Sequence, residues 1–416
     1  MASEIHVISK KDLTKHETIA VDLALPALGP SSIRARTSLI GITYNNLSYA
    51  KLGDFLQWWS TWPVPLDAPA PYHNRAEWGI VPAWGFAKVL DSTIEAIPVG
   101  SLLYGSWPTS SHPVDLKLEP HDAEGHFREV SEHRQGLGSI YNRYNLVDES
   151  ARPEEFRARC SNAFPIWNAG YVVNRFNFPT EFKPVHPTNG AGWSAEEADL
   201  SGAVVVNLSA SSRTGRSITW NFARNRKPGA NGPLALLAVA SAPDALQPTP
   251  EAAFDIKTVG YSQLANKETA EWISGFKPSR VVVIDNGGPQ EVTEDFRKSL
   301  ADALPDAALT LFLIGGQPKL QTPEEFQASM ALKAKWGSVV QLNTTEVING
   351  GIAAEGGDAY WKGTDEAFER AVKEKYLGDM ELVWGSGISG SKGVEKAWEN
   401  IIQGTLLPNK AWVYRI

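Results

Sequence analysis

The sequence predicts an α/β chain: a compact β-barrel followed by a doubly wound parallel sheet. Three observations predict it. Short strands separated by glycine- and proline-rich turns fill the first 150 residues. From residue 202 onward strands alternate with helices, and the strands are near-continuous Val, Ile and Leu. Finally, Val204-Val205-Val206-Asn207-Leu208 runs into Ser209-Ala210-Ser211-Ser212-Arg213-Thr214-Gly215. A buried strand there gives way to small hydroxyl residues and then to an apolar-periodic segment. Such a turn presents the N–H groups of a helix start, which suit a phosphate. Serines and an arginine stand where a dinucleotide site usually has its glycine triplet.

The elements follow in order. Residues 1–35 alternate and contain prolines, which suits short strands and loops. Arg34 to Ile42 alternates as a half-buried strand does. Asn45 to Trp59 reads as a loop leading into a short helix, and residues 60–75, rich in proline, as an exposed excursion. Trp84–Leu90 and Leu102–Trp107 are strands around the turn signal Ile97-Pro98-Val99-Gly100. Pro153 to Ile166 is an amphipathic helix with proline in its first turn. The strands of the sheet are expected at 203–208, 234–240, 257–259, 280–284 and 309–314. Helices are expected at 214–225, 262–265, 266–275 and 290–303. A long acidic stretch after Gly315 reads as helix at Thr322–Trp336 and Thr364–Tyr376, and Gly387–Gly404 as another. The last eight residues, Asn409 to Ile416, form a strand with no obvious place in the parallel sheet, so they are expected to return to the β-domain.

Bulk properties exclude some functions. The 416 residues carry a net charge of −8, which disfavours nucleic acid as the main partner. There is no apolar run of membrane-spanning length, and the opening Met-Ala-Ser-Glu does not read as a secretory signal, so the expected location is cytoplasmic. A single cysteine, Cys160, rules out an internal disulfide and a cysteine-based zinc site. It lies in a helical stretch and reads as a packed side chain. Of the 15 tryptophans, Trp58, Trp59, Trp62, Trp78, Trp84 and Trp107 gather near the N-terminus, as core or as the wall of an apolar pocket.

Four phrases carry a family resemblance: Ile42-Thr43-Tyr44-Asn45-Asn46-Leu47-Ser48-Tyr49-Ala50, Trp84-Gly85-Phe86-Ala87, Tyr141-Asn142-Arg143-Tyr144 and Leu208-Ser209-Ala210-Ser211-Ser212-Arg213-Thr214. With the order of elements, they resemble the medium-chain dehydrogenase/reductase superfamily, in a fungal and bacterial branch of quinone oxidoreductase type. The resemblance implies a groES-like β-barrel domain at 1–150 and 380–416 and a Rossmann domain at 151–379. It also implies NADP(H), a small-molecule substrate and a homodimer. With no cysteine placed to hold zinc, the chain falls with the zinc-free members.

The candidate site residues fall in two groups. For the cofactor, the hydroxyls of Ser209, Ser211, Ser212 and Thr214 and the helix-start amides would take a diphosphate, with Arg213 pairing to it. The same residues also read as a helix N-cap with a surface arginine. Ser241 ends the second strand where an NAD-preferring site carries an acid, so NADP is favoured. Tyr261 matches a tyrosine that, in the resembled enzymes, contacts the adenosine phosphate. Asp285, Asn286 and Gly287 end one strand, and Leu313 and Gly315 the next, where a nicotinamide ribose would lie. For catalysis, the resemblance places Tyr44, Asn45, Asn46 and Tyr49 in a loop lining the substrate pocket, with a phenol as proton donor and an amide holding a carbonyl oxygen. His133 and Tyr141 belong to a second polar cluster with Arg134, Asn142 and Tyr144, and His133 is a candidate acid/base. No metal ligand set is seen.

The leading expectation is a zinc-independent, NADP(H)-dependent oxidoreductase. It would act on an activated C=C or C=O in an aromatic-walled cleft between the two domains. A redox-neutral lyase or dehydratase on the same scaffold is the alternative, and a non-catalytic binding protein a further one.

Overall fold

The computed structural model describes residues 2–181, 183–188, 190, 192–226, 231–246, 251–315, 323–376, 380–407 and 409–416. Thr322, named in the sequence reading, lies outside them. The chain divides into two compact units, Met1–Pro165 with Met380–Ile416, and Ile166–Asp379.

The first unit contains β1 (Ser3–Ser9), β2 (His16–Val21), β3 (Ser32–Ile42), β4 (Trp78–Gly79), β5 (Pro82–Ser92), β6 (Leu102–Pro108), β7 (Val114–Pro120), β8 (His126–Glu129) and β9 (Arg143–Val147). From the end of the chain come β16 (Glu381–Ser386), β17 (Lys410–Arg415) and the helix α11 (Val394–Ile402). The order β3-β5-β6-β9-β8-β7, with β7 pairing back to β3, closes a six-stranded antiparallel barrel. Closure removes the sheet edges that short strands would otherwise expose. β17 lies antiparallel to β3, with Trp412 opposite Ile42, so the last residues do rejoin the β-unit. β16 adds in parallel outside β17.

Three expectations for this unit change. The segment after β3 is not a loop: α1 (Tyr44–Lys51) starts at once, because Thr43 caps it in a capping box with Asn46. The proline-rich excursion is only partly exposed, since Thr61, Trp62 and Val64 are buried. Gly387–Gly404 is helical only from Val394.

The helix α2 (Glu154–Val172) spans the division between the units. Its first half packs on the barrel. A Cβ at Gly41 of β3 would meet the Ser161 carbonyl oxygen at 2.4 Å, so the helix backbone lies directly on the strand. Asn162 Nδ2 donates to the carbonyls of Ile42 at 3.3 Å and Trp412 at 3.0 Å. These contacts carry the first unit to Pro165, where the sequence reading had drawn the boundary at 150.

The second unit is a six-stranded, fully parallel sheet of order β12-β11-β10-β13-β14-β15. Its strands are β10 (Ala203–Asn207), β11 (Ala235–Ala240), β12 (Asp255–Gly260), β13 (Arg280–Asn286), β14 (Ala308–Gly315) and β15 (Ser338–Gln341). Its helices are α3 (Ala195–Ala198), α4 (Arg213–Arg224), α5 (Tyr261–Leu264), α6 (Lys267–Gly275), α7 (Gln290–Ala303), α8 (Pro323–Lys333), α9 (Thr344–Glu355) and α10 (Gly357–Lys373). One face buries Val204, Val206, Leu237, Val281, Val283 and Leu311 against Phe296, Leu300 and Ile273. On the other, Phe312 meets Phe178 and Trp193, and Phe178 meets Phe222. With both faces covered, the strands read as unbroken apolar runs. β15 was not expected. It has four residues, is largely exposed, and sits between the two segments of the acidic stretch read as helix. Among the described residues no helix is long and apolar enough to cross a membrane.

Candidate functional site

The strand order of the parallel sheet reverses between β10 and β13, and ligands of doubly wound sheets bind outside the carboxyl ends at that point. Two turns meet there. The first follows β10. Ser209 adopts φ 55°, a left-handed conformation that glycine takes at little cost and serine does not. Its amide donates to the Tyr261 hydroxyl at 2.8 Å, and its own hydroxyl lies 3.0 Å from the same oxygen. Ser212 is the N-cap of α4, its hydroxyl accepting from the Gly215 amide at 3.0 Å. The amides ahead of Gly215 in this first turn have no partner within the helix. Ser211, Ser212, Arg213 and Thr214 are half-buried around them.

Gly215 is the residue that sequence reasoning missed. A Cβ there would lie 2.3 Å from the Ser209 carbonyl oxygen and 2.6 Å from Ala210 Cα, so only glycine lets the turn fold down onto the helix. The signal was available: a glycine three residues beyond a serine N-cap, at the last position of a G-x-x-G spacing. The turn thus keeps the close-packing glycine of a dinucleotide fingerprint, while Ala210 and Ser212 stand at the other two positions. Burial lowers the Arg213 guanidinium to about 10, so it remains a cation at neutral pH.

The second turn follows β13. The buried Asp285 carboxylate accepts from the amides of Gly287 and Gly288, both at 2.8 Å. Those amides are therefore engaged within the chain, and Asp285 and Gly287 shape the turn. Burial raises the Asp285 pKa, while the two amides and Lys333, 3.9 Å away, oppose the rise. Asn286 Nδ2 donates to Asn207 Oδ1 and to the Leu208 carbonyl, both at 2.9 Å. Asn207 Nδ2 in turn donates to the Gly215 carbonyl at 2.7 Å and to Thr219 Oγ1 at 2.9 Å. A buried amide relay thus ties the second turn to the first. Ser241 is exposed at the end of β11. Leu313 is a core residue whose carbonyl accepts from the Leu342 amide at 2.8 Å, and Gly315 pairs with Asn286 across a register shift.

In the barrel unit the candidate catalytic residues part company. Asn46 is a structural cap: buried, it accepts from the Thr43 amide at 2.8 Å and donates to the Pro82 carbonyl at 2.9 Å. Both ends of its amide are engaged within the fold, so it is not placed to hold a substrate carbonyl. His133 is exposed on the short turn Glu132–Arg134. Its neighbour Arg134 is the buried one, donating to Asn142 Oδ1, the Tyr141 carbonyl and the Tyr144 hydroxyl. Tyr44, half-buried at the start of α1, hydrogen-bonds the Leu406 backbone, and burial raises its pKa.

Asn45, Tyr49 and Tyr141 do come together. Tyr49's oxygen accepts from Asn45 Nδ2 at 2.7 Å and from the indole of Trp84 at 2.9 Å. It also hydrogen-bonds Tyr141, which itself hydrogen-bonds Trp58. An indole N–H only donates, and a phenol oxygen accepts at two lone pairs. Tyr49 and Tyr141 thus share a hydrogen bond within a network that Asn45, Trp58 and Trp84 complete. Tyr49 rings sit 4.7 Å from Trp58 and 5.7 Å from Tyr141 in edge-on contacts. Burial raises both phenols, Tyr49 to about 12, so both are protonated at neutral pH.

Among the described residues no three His, Cys, Asp or Glu side chains gather as metal ligands, and Cys160 is buried in α2.

Comparison with known proteins bears on the fold. No curated protein matches the chain. Solved structures do. Enoyl thioester reductase from Candida tropicalis, in a mutant form, is similar over 100% of both chains at 10% identity and a TM-score of 0.51. A complex of Etr1p with NADP and crotonyl-CoA gives 0.50 at 11% identity over 100% of both chains. Quinone oxidoreductase from Escherichia coli, complexed with NADPH, gives 0.51 at 12% identity over 100% of this chain and 99% of that one. At such identities the likeness establishes the fold alone, a β-barrel unit and a parallel-sheet unit. A family model described as "Protein of unknown function (DUF2855)" matches residues 40–407. The chain belongs to that family, carried on a barrel and a parallel-sheet unit.

Proposed function

We propose that this protein is a zinc-independent, NADP(H)-dependent oxidoreductase acting on an activated C=C or C=O of an apolar small molecule. The observation that carries the reading is the turn after β10: at the switch point of a fully parallel sheet, Gly215 brings the backbone against the first turn of a twelve-residue helix. Two solved structures that share the fold hold NADP or NADPH.

The residues fit such a ligand. The first-turn amides of α4, with the hydroxyls of Ser211, Ser212 and Thr214, would hold the diphosphate, and Arg213 supplies a cation beside it. Ser241 offers a hydroxyl and no charge at the end of β11, which accommodates a 2′-phosphate where an acid would repel it. The turn of Asp285, Asn286 and Gly287 and the strand end at Leu313 and Gly315 would border the nicotinamide ribose. The bound cofactor supplies the hydride. The barrel unit's contribution is the Tyr141 phenol, which holds its proton at neutral pH and is braced by Tyr49, Asn45, Trp58 and Trp84. Its aromatic surroundings favour an apolar substrate.

Titration of the purified protein with NADPH and NADH, followed by nicotinamide fluorescence, tests the reading. NADPH is expected to bind, and more tightly than NADH. Absence of binding by either at saturating concentration removes it.

A further inference from the structure

We infer that Tyr261 is a positioning residue, a clamp that holds Ser209 in the left-handed conformation on which the diphosphate turn is built. The inference rests on the dinucleotide reading of that turn and adds the means by which the altered motif keeps its shape. Ser209 occupies a left-handed conformation at φ 55°, which costs a residue with a Cβ more than it costs glycine. Something must hold it there. The Tyr261 hydroxyl accepts from the Ser209 amide at 2.8 Å and contacts the Ser209 hydroxyl at 3.0 Å, so one oxygen fixes both polar groups of the strained residue.

The surroundings fix that oxygen. Tyr261 is the first residue of α5, directly after β12, two strands away from the turn that it serves. It is half-buried and packs against the core of the sheet. A Cβ at Gly288 would lie 3.4 Å from its hydroxyl, so the second switch-point turn lies beside it. The phenol thus stands between the two turns that border the proposed site. The Ala210 amide is held by the Val239 carbonyl at 2.8 Å, which fixes the residue after Ser209. Ser209 and Ala210 are the two residues on which Gly215 packs. Holding Ser209 in its left-handed state keeps its carbonyl down against Gly215 and against the Ser212 amide, which donates to it at 2.9 Å. Here Tyr261 touches the turn and not the phosphate, which differs from the role that the family resemblance implies.

The test is a rescue. In Tyr261→Phe, the Ser209 amide and hydroxyl lose their partner while the ring and its packing stay. NADPH affinity is expected to fall by about tenfold, the size of one lost hydrogen bond to a buried group. Tyr261→Phe combined with Ser209→Gly should bind NADPH more tightly than Tyr261→Phe alone, since glycine needs no clamp. Thermal unfolding gives a second readout without ligand: Tyr261→Phe lowers the melting temperature and Ser209→Gly restores it. Unchanged unfolding in Tyr261→Phe, or failure of Ser209→Gly to restore either quantity, overturns the clamp. If the wild-type protein binds no NADPH, the dinucleotide reading fails, and the unfolding rescue still decides the clamp.

Discussion

Two strand-to-helix turns, one in each unit, are built from similar residues and end in opposite states. In the barrel, Ile42 of β3 passes through the cap Thr43 into α1. In the parallel sheet, Asn207 of β10 passes through the cap Ser212 into α4. The difference lies at the third helical residue. In α1 it is Asn46, whose side chain reaches back to the Thr43 amide and across to the Pro82 carbonyl. That turn satisfies its own donors. In α4 it is Gly215, which has no side chain to reach back and instead admits the Ser209 backbone at a distance that no Cβ permits. That turn sends its cap amide to the Ser209 carbonyl at 2.9 Å, and in the proposed function its helix start takes the diphosphate. A capping residue closes a helix start, and a glycine in the same place opens it.

Exchanging the third residues is the way to break this comparison. Gly215→Asn has the larger effect. Its Cβ would lie 2.3 Å from a backbone oxygen, so the turn must shift. Loss of measurable NADPH binding is expected, with a stability loss of about 1–3 kcal/mol in denaturant unfolding. Asn46→Gly removes the reciprocal cap and a buried hydrogen bond. It should cost about 1–2 kcal/mol in the same unfolding experiment, yet leave the NADPH dissociation constant unchanged. Equal effects of the two exchanges on NADPH affinity would show that the turns do not differ as described.

The fold was legible where pattern is local. The unbroken apolar strands 203–208, 234–240 and 280–284 announced a sheet buried on both faces, and the closing strand at 410–415 was recognised as foreign to it. β15 was hidden because four largely exposed residues carry no periodicity. Candidate residues were legible as polar groups at strand ends, but their commitments depend on distant partners. Asn46 is occupied by Pro82, thirty-six residues away, and Ser209 by Tyr261, fifty-two away. The glycine at 215 was visible, and its meaning was not, because its close approach to Ser209 exists only in three dimensions. Likewise, His133 and Arg134 are adjacent, and only packing decides which of them is buried.

Amide hydrogen exchange, read by mass spectrometry with and without NADPH, tests the central claim most directly. The account predicts slowed exchange in the segment 209–215 on adding NADPH, with the segment 44–51 unchanged. Exchange in 209–215 that is the same with and without saturating NADPH would contradict it.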